Sequence, residues 1–187
     1  MATIEEFLQD ATRRMDRSIE TTRTEFSSVR TGRASAALLD RITIDYYGTA
    51  TPLKNMATIG ASEPRLLTVQ PFDPTQIKAI EKAIQESDLG LTPSNDGKVV
   101  RLPIPQLTEE RRKELVKLVR KYGEDGKIAI RNVRRDVMKG LEELVRNGEV
   151  GDDEERRGEA QVQKLTDEHT KTIDGLIRHK ETEIMEV

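Results

Sequence analysis

The sequence predicts an α+β protein: a long antiparallel three-helix bundle, with a small α/β-sandwich-like domain inserted between the first and second helices. Three observations lead there. Three stretches of the 187 residues carry apolar or small side chains at steps of three and four, the period of one helical face. Between the first two of them, residues 31–106 switch to short alternating runs broken by Gly and Pro. Charged residues make up 35% of the chain and aromatics only 3%, which fits narrow apolar stripes better than a bulky core.

The first helix spans 3–29, with Ile4, Leu8, Ala11, Met15, Ile19, Thr22, Phe26 and Val29 on one side. At 1.5 Å per residue it runs roughly 40 Å. In the insert, 42–47 alternates with a period of two and ends at Gly48, as a strand should. Residues 66–70 form a second strand, closed by Pro71 and Pro74. A short amphipathic helix follows over 75–88 through Ile77, Ile80 and Ile84, then a turn at 93–97 and a third strand over 99–104. Thr31 and Gly32 punctuate one crossing between the two parts, Pro103 and Pro105 the other. Two such crossings side by side are expected to act as a hinge.

The second helix covers 108–146, with Thr108 as N-cap and Asn147-Gly148 as stop. Its stripe is Leu115, Val119, Tyr122, Gly126, Ala129, Val133, Val137, Gly140 and Leu144. A glycine inside a helix costs about 1 kcal/mol relative to Ala. Close helix approach accounts for Gly126 and Gly140, and a bend is the expectation at Gly123. Asp152 and Glu155 resemble a capping box that opens the third helix, whose stripe is Val162, Leu165, His169, Ile173, Leu176, Lys180 and Ile184. Each stripe needs two partners to leave water, hence a bundle built from 1–30 and 107–187, with 31–106 as the insert. Such a bundle closes its own core, so a monomer is expected.

Composition excludes several functions. Without Cys there is no disulfide, zinc-thiolate site or cysteine nucleophile. No apolar run approaches the roughly 18 residues of a membrane span, and the N-terminus lacks the pattern of a signal peptide. A cytoplasmic protein is expected. The histidines, His169 and His179, fall on the third helix, the first of them on its apolar stripe as a packed residue. No GxxxxGK[ST] loop is present, so the chain should not hydrolyse GTP. The acids at 152–155 read as helix-start chemistry, their spacing lacking the alternation of a calcium loop. No enzyme, cofactor or metal site is expected.

The net charge of −3 conceals a strong polarity: residues 111–139 carry eleven Lys or Arg against four Asp or Glu, residues 149–187 six against twelve. At 100° per residue from Val133, the side chains Lys113, Lys117, Arg120, Lys127, Arg131, Arg134 and Arg135 fall about 100–200° away. They share one outward arc of roughly 33 Å. Acids are missing from 127–135, so Arg131, Arg134 and Arg135 crowd each other without a local acidic partner. Like charges at helical spacing cost about 0.2–0.5 kcal/mol per pair, which an external phosphate would offset. Single-strand readers stack bases on aromatics, and this arc has none, so structured RNA is the fitting ligand. Tyr46 and Tyr47 occupy successive strand positions, and at least one should pack in the small core. Arg30 and Arg33 flank Gly32, where they could cap the first helix through its dipole, hold RNA or fix the hinge.

Taken together, Arg30-Thr-Gly-Arg-Ala-Ser35, Asp45-Tyr-Tyr-Gly48, Glu81-Lys-Ala-Ile84, Ser87-Asp-Leu-Gly90, Leu107-Thr-Glu-Glu-Arg-Arg112, Arg131-Asn-Val-Arg-Arg-Asp136 and Val162-Gln-Lys-Leu-Thr-Asp167 resemble the ribosome recycling factor family across the whole chain. Ala36 departs from the family's usual Pro. The resemblance implies an L-shaped, two-domain protein that binds the large ribosomal subunit after termination. With elongation factor G, which supplies the GTP hydrolysis, it would dissociate the post-termination complex. It also implies ribosomal-RNA contacts centred on Arg131, Arg134 and Arg135, and a hinged small domain that the GTPase pushes. No membrane or DNA partner is expected. The alternative reading is a coiled-coil chaperone or scaffold that uses the acidic third helix.

Overall fold

The computed structural model describes residues 3–186. In chain order the elements are α1 (Ile4–Ser28), β1 (Thr43–Tyr46), β2 (Thr49–Pro52), β3 (Ala57–Glu63), β4 (Leu66–Pro71), α2 (Ile77–Gln85), β5 (Ser94–Asn95), β6 (Val100–Pro103), α3 (Glu109–Arg146) and α4 (Asp152–Met185). The fold class is α+β. The described residues up to Arg30 form one compact unit with Glu110–Met185, and Thr31–Glu109 with Glu186 forms a second.

The helical unit begins with a reciprocal cap. The Thr3 hydroxyl accepts the Glu6 N–H at 3.2 Å, and the Glu6 carboxylate accepts the Thr3 N–H at 2.8 Å. At the end of α3, Glu149 N–H donates to Leu144 O and Gly148 N–H to Val145 O, both at 2.9 Å. Gly148 takes φ +72°, so this is the glycine-closed helix end that the Asn147-Gly148 pair signals. The start of α4 corrects the sequence reading by one residue. Gly151, not Asp152, is the cap: its carbonyl accepts the Glu154 and Glu155 N–H groups, and its own N–H donates to the Glu154 carboxylate at 3.1 Å. The acid that reaches back is therefore Glu154 rather than Glu155.

Side-chain proximities fix the helix directions. On α1 and α3, Phe7 meets Gly140 and Thr22 meets Gly126, so these two helices are antiparallel. Ile4 lies against Gly158, and Asp16 against His169, so α1 and α4 run parallel. Their shared core holds Ala11, Met15 and Ile19 of α1, Ile130, Val133, Val137 and Leu141 of α3, and Val162 and Ile173 of α4. The stripe is displaced by one residue mid-helix from the expected one: Ile130 is fully buried while Ala129 and Tyr122 are only half-buried. His169 is a packed residue, its Nε2 2.9 Å from Asp16 and its Nδ1 2.6 Å from the Leu165 carbonyl.

Gly123 does not mark a bend. The helix is continuous from Glu109 to Arg146, and a Cβ at 123 would overlap the end of Ile177. It belongs with Gly126, whose Cβ would run into Thr22 and Ile173, and Gly140, whose Cβ would run into the Phe7 ring. All three make room for side chains of the neighbouring helices.

In the second unit, β1 and β2 form an antiparallel hairpin. Both turn residues take positive φ, Tyr47 at +52° and Gly48 at +84°, the conformation of a two-residue primed turn. The Asp45 carboxylate locks it by accepting the Gly48 N–H at 2.7 Å. A four-stranded antiparallel sheet has the order β3-β4-β6-β5. Its buried side chains Leu67, Val69, Val100 and Leu102 pack against Ile77, Ile80 and Ile84 of α2, with Leu39 and Leu53 completing the core. The strands expected at 42–47, 66–70 and 99–104 are present in slightly shorter or shifted form, while β2 and β3 were not anticipated. The short helix is also shorter than 75–88. A 3₁₀ turn at Pro74–Gln76, capped by the Asp73 side chain, precedes α2, which ends at Gln85. The expected turn at 93–97 contains the short strand β5.

Gly126→Ala is expected to destabilise the protein by about 1–3 kcal/mol in denaturant unfolding, because overpacking against Thr22 outweighs Ala's better helix propensity. Gly123→Ala should fall near neutral, since the flexible end of Ile177 can rotate away.

Candidate nucleic-acid interface

The outer side of α3 carries the predicted cations, opposite the buried Val133 and Val137. Lys113, Lys117, Arg120, Arg131 and Arg135 are exposed, and Lys127 and Arg134 are half-buried. Their partners differ sharply. The Arg120 Nε sits 2.6 Å from the Glu181 carboxylate of α4, and the Lys127 ammonium lies 3.1 Å from Asp174 of the same helix. Glu124 holds both Arg131, at 2.6 Å, and Lys127, at 3.4 Å. The expectation that Arg131 lacks a local acidic partner is therefore wrong. Glu124 and Arg131 are seven residues apart, so they lie within about 20° of one another around the helix. Two extended side chains bridge the intervening rise of about 10.5 Å.

These pairings leave a mark on titration. The Arg131 guanidinium, then Lys127, holds the Glu124 carboxyl below its ordinary range. Asp174 pushes the Lys127 ammonium above its ordinary value, with Glu124 adding to the effect.

Arg134 and Arg135 stand apart. The Arg134 Nε donates to the Gln163 side-chain oxygen at 2.7 Å, and an Arg135 Nη donates to the Asn132 side-chain oxygen at 3.0 Å. Both acceptors are neutral, and neither guanidinium has a carboxylate partner among the described residues. The nearest acid in sequence, Asp136, is taken by Arg14 of α1 at 2.8 Å. With Arg131, Asn132, Met138, Lys139 and the exposed Ile128, the two arginines line an open groove of about 760 Å³ that Glu142 and Glu159 also border. Four cations against two carboxylates leave the groove with an excess of positive charge.

The remaining predicted positions lie in the second unit or at its edge. Arg30 is exposed just past α1. Arg33 is exposed and 3.6 Å from Glu186. Thr31 is buried, Gly32 takes φ +79°, Pro103 closes β6 opposite Leu66, and Pro105 is exposed beyond it. Tyr46 packs against the small core while Tyr47 is 80% exposed, its ring 4.6 Å from that of Tyr46.

Glu124, Gln163 and Asp174 were missed by sequence reasoning. The first was recoverable: on the count used for the cations, it falls 180° from Val133, in the middle of the arc. The other two require the packing of α4 against α3. Among the described residues no cluster of His, Cys, Asp or Glu could hold a metal ion, and no helix is long and apolar enough to cross a membrane.

A family model described as ribosome recycling factor matches residues 22–185. The chain belongs to the ribosome recycling factor family. Among its relatives, the ribosome-recycling factor of Rubrobacter xylanophilus is 57% identical over 180 residues, covering 96% of this chain and 97% of the other. That of Geobacillus kaustophilus is 53% identical with the same coverage. A solution structure of a ribosome recycling factor aligns over the full length of both chains with a TM-score of 0.75 and 39% identity. A second solved structure describes the T. thermophilus ribosome recycling factor and E. coli elongation factor G bound to the E. coli post-termination complex. Its matching chain aligns with a TM-score of 0.65 and 45% identity, covering 98% of this chain and all of the other.

On the bundle's other side, Arg14 holds the Asp136 carboxyl below its ordinary value of 3.8. A depressed carboxyl stabilises the fold fully above its unfolded value, and the contribution disappears as pH falls through the folded one. Asp136→Asn should therefore lower stability at neutral pH and shrink the difference from the native chain below pH 3.8, as read by thermal unfolding across a pH series.

Proposed function

We propose that the protein binds the large ribosomal subunit after translation termination and, with elongation factor G, dissociates the post-termination complex. GTP is consumed by that partner, and this chain acts as a non-enzymatic cytoplasmic factor and as a monomer. The observation that carries the reading is the pair Arg134 and Arg135: cations without carboxylate partners, facing an open groove, within a chain that matches its family from end to end.

The mechanism follows from the chemistry of that face. Phosphates of structured ribosomal RNA replace water and condensed counterions around Arg134 and Arg135, and the release of those counterions drives binding. Guanidinium suits this role because its planar fork meets two phosphate oxygens at once. Arg131, Lys127, Arg120, Lys117 and Lys113 extend the contact along α3, and Arg30 and Arg33 add to it near the crossing. The 31–106 module transmits the push of elongation factor G, with Thr31, Gly32, Pro103 and Pro105 as the hinge. Positive φ at Gly32 supports a pivot there, since that conformation is relaxed only for glycine. Against a coiled-coil scaffold stands α4 itself, whose Val162 and Ile173 are already buried in the core of its own bundle.

Arg134→Ala should weaken binding to large subunits about ten-fold at physiological salt, the scale of one charged hydrogen-bond set. The log–log salt slope should become shallower by roughly 0.9, with helical content unchanged. Lys127→Ala should cost much less, because its ammonium is already neutralised by Asp174 and Glu124. Co-sedimentation with purified subunits across a salt series reads both, and undiminished affinity of the Arg134 variant would refute the proposal.

A further inference from the structure

The cation row contains one carboxylate in the middle of its own arc. Glu124 spans Arg131 at 2.6 Å and Lys127 at 3.4 Å, one oxygen to each. It is half-exposed, as is Arg131, so it does not hold the core together. Its partners are two of the groups that the proposed RNA contact uses. A carboxylate placed there repels phosphate and occupies the cations that phosphate would bind.

We infer that Glu124 is an internal competitor for phosphate, which sets the discrimination between a structured RNA that fits the groove and RNA in general. This rests on the RNA-binding role of α3. An exposed ion pair is weak, so it is readily exchanged for a better anion. Arg134 and Arg135 are held by neutral acceptors instead, and make the first contact. An RNA whose shape also brings a phosphate beside Arg131 displaces Glu124 and gains that contact. An RNA that reaches only Arg134 and Arg135 meets the Glu124 charge and gains nothing more. The carboxylate thus weakens all binding slightly and poorly fitted binding most, and it favours release once the complex has come apart.

Glu124→Gln tests this, because it keeps the shape and the hydrogen bond to Arg131 while removing the charge. The probes are large ribosomal subunits and a poly(A)·poly(U) duplex, titrated with native protein, E124Q, R134A and, as a control outside the arc, E143Q. E124Q is expected to bind the duplex about two- to five-fold more tightly, the equivalent of one exposed pair, with a smaller gain on subunits. Its salt slope on the duplex should steepen by roughly 0.9, the signature of one more cation engaged, which a purely structural role for Glu124 would not produce. E143Q should match the native chain. If E124Q leaves duplex affinity and slope unchanged while R134A weakens subunit binding, this inference is overturned and the RNA-binding role stands. If E143Q tightens binding as much as E124Q, net charge alone is responsible and the inference is overturned. If R134A also binds subunits normally, both fall.

Discussion

Side chains that reach from α4 onto α3 govern the chemistry of the outer face as well as the core. The end of Ile173 lies over Gly126, and the end of Ile177 over Gly123. The antiparallel register set by those contacts carries over to the adjacent residues. Lys127 follows Gly126 and Asp174 follows Ile173, and these two meet at 3.1 Å. About two turns further towards the start of α3, Arg120 meets Glu181 at 2.6 Å. Long side chains on both helices bring the acidic α4 within reach of the basic α3. The glycines, expensive in helix propensity, leave room beneath those pairs for the isoleucines of α4.

That neutralisation stops at a definite place. Towards the end of α3, the α4 side chain that Arg134 reaches is Gln163, an amide. On the other side of α3 the available acid, Asp136, is committed to Arg14. The row of cations is therefore graded. Arg120 and Lys127 serve helix packing, Arg131 is shared with Glu124, and Arg134 and Arg135 keep their charge for something outside the chain. Exposed pairs contribute little stability, so under the proposed RNA contact the paired members remain exchangeable for phosphate.

The sequence made the helical skeleton legible because the evidence for it is local. Periodic stripes gave the long helices almost to the residue, and Asn147-Gly148 announced the end of α3 through the one residue type that accepts φ +72° there. Where contacts are distant, reading failed. The strands β2 and β3 lack clean alternation, and Gly60 interrupts β3; they are strands because β1 and β4 offer them ladders to complete. Gly123 looked like a bend because Ile177, which explains it, is 54 residues away in the chain. In the interface, the positions of the cations were readable and their pairing was not. A search restricted to steps of three and four overlooks Glu124, seven residues before Arg131, and nothing local reveals Asp174.

Gln163 shows why the unpaired end of the row is still ordered. It accepts from Arg134 at 2.7 Å through its oxygen and donates from its amide nitrogen to Asp167 at 2.8 Å. A carboxylate at 163 would hold the guanidinium equally well but cancel its charge, as Glu181 does at Arg120. An apolar residue would leave the charge but release the side chain, and fixing a free arginine on binding costs about 0.5–1.5 kcal/mol. The amide does neither. It passes the anchoring of Asp167 on to Arg134 as orientation alone, so that a half-buried guanidinium is aimed in advance and remains positively charged at its exposed edge. Helix α4 therefore shapes the candidate anion site without supplying a cation, and the sequence pattern of α3 by itself could not have shown it.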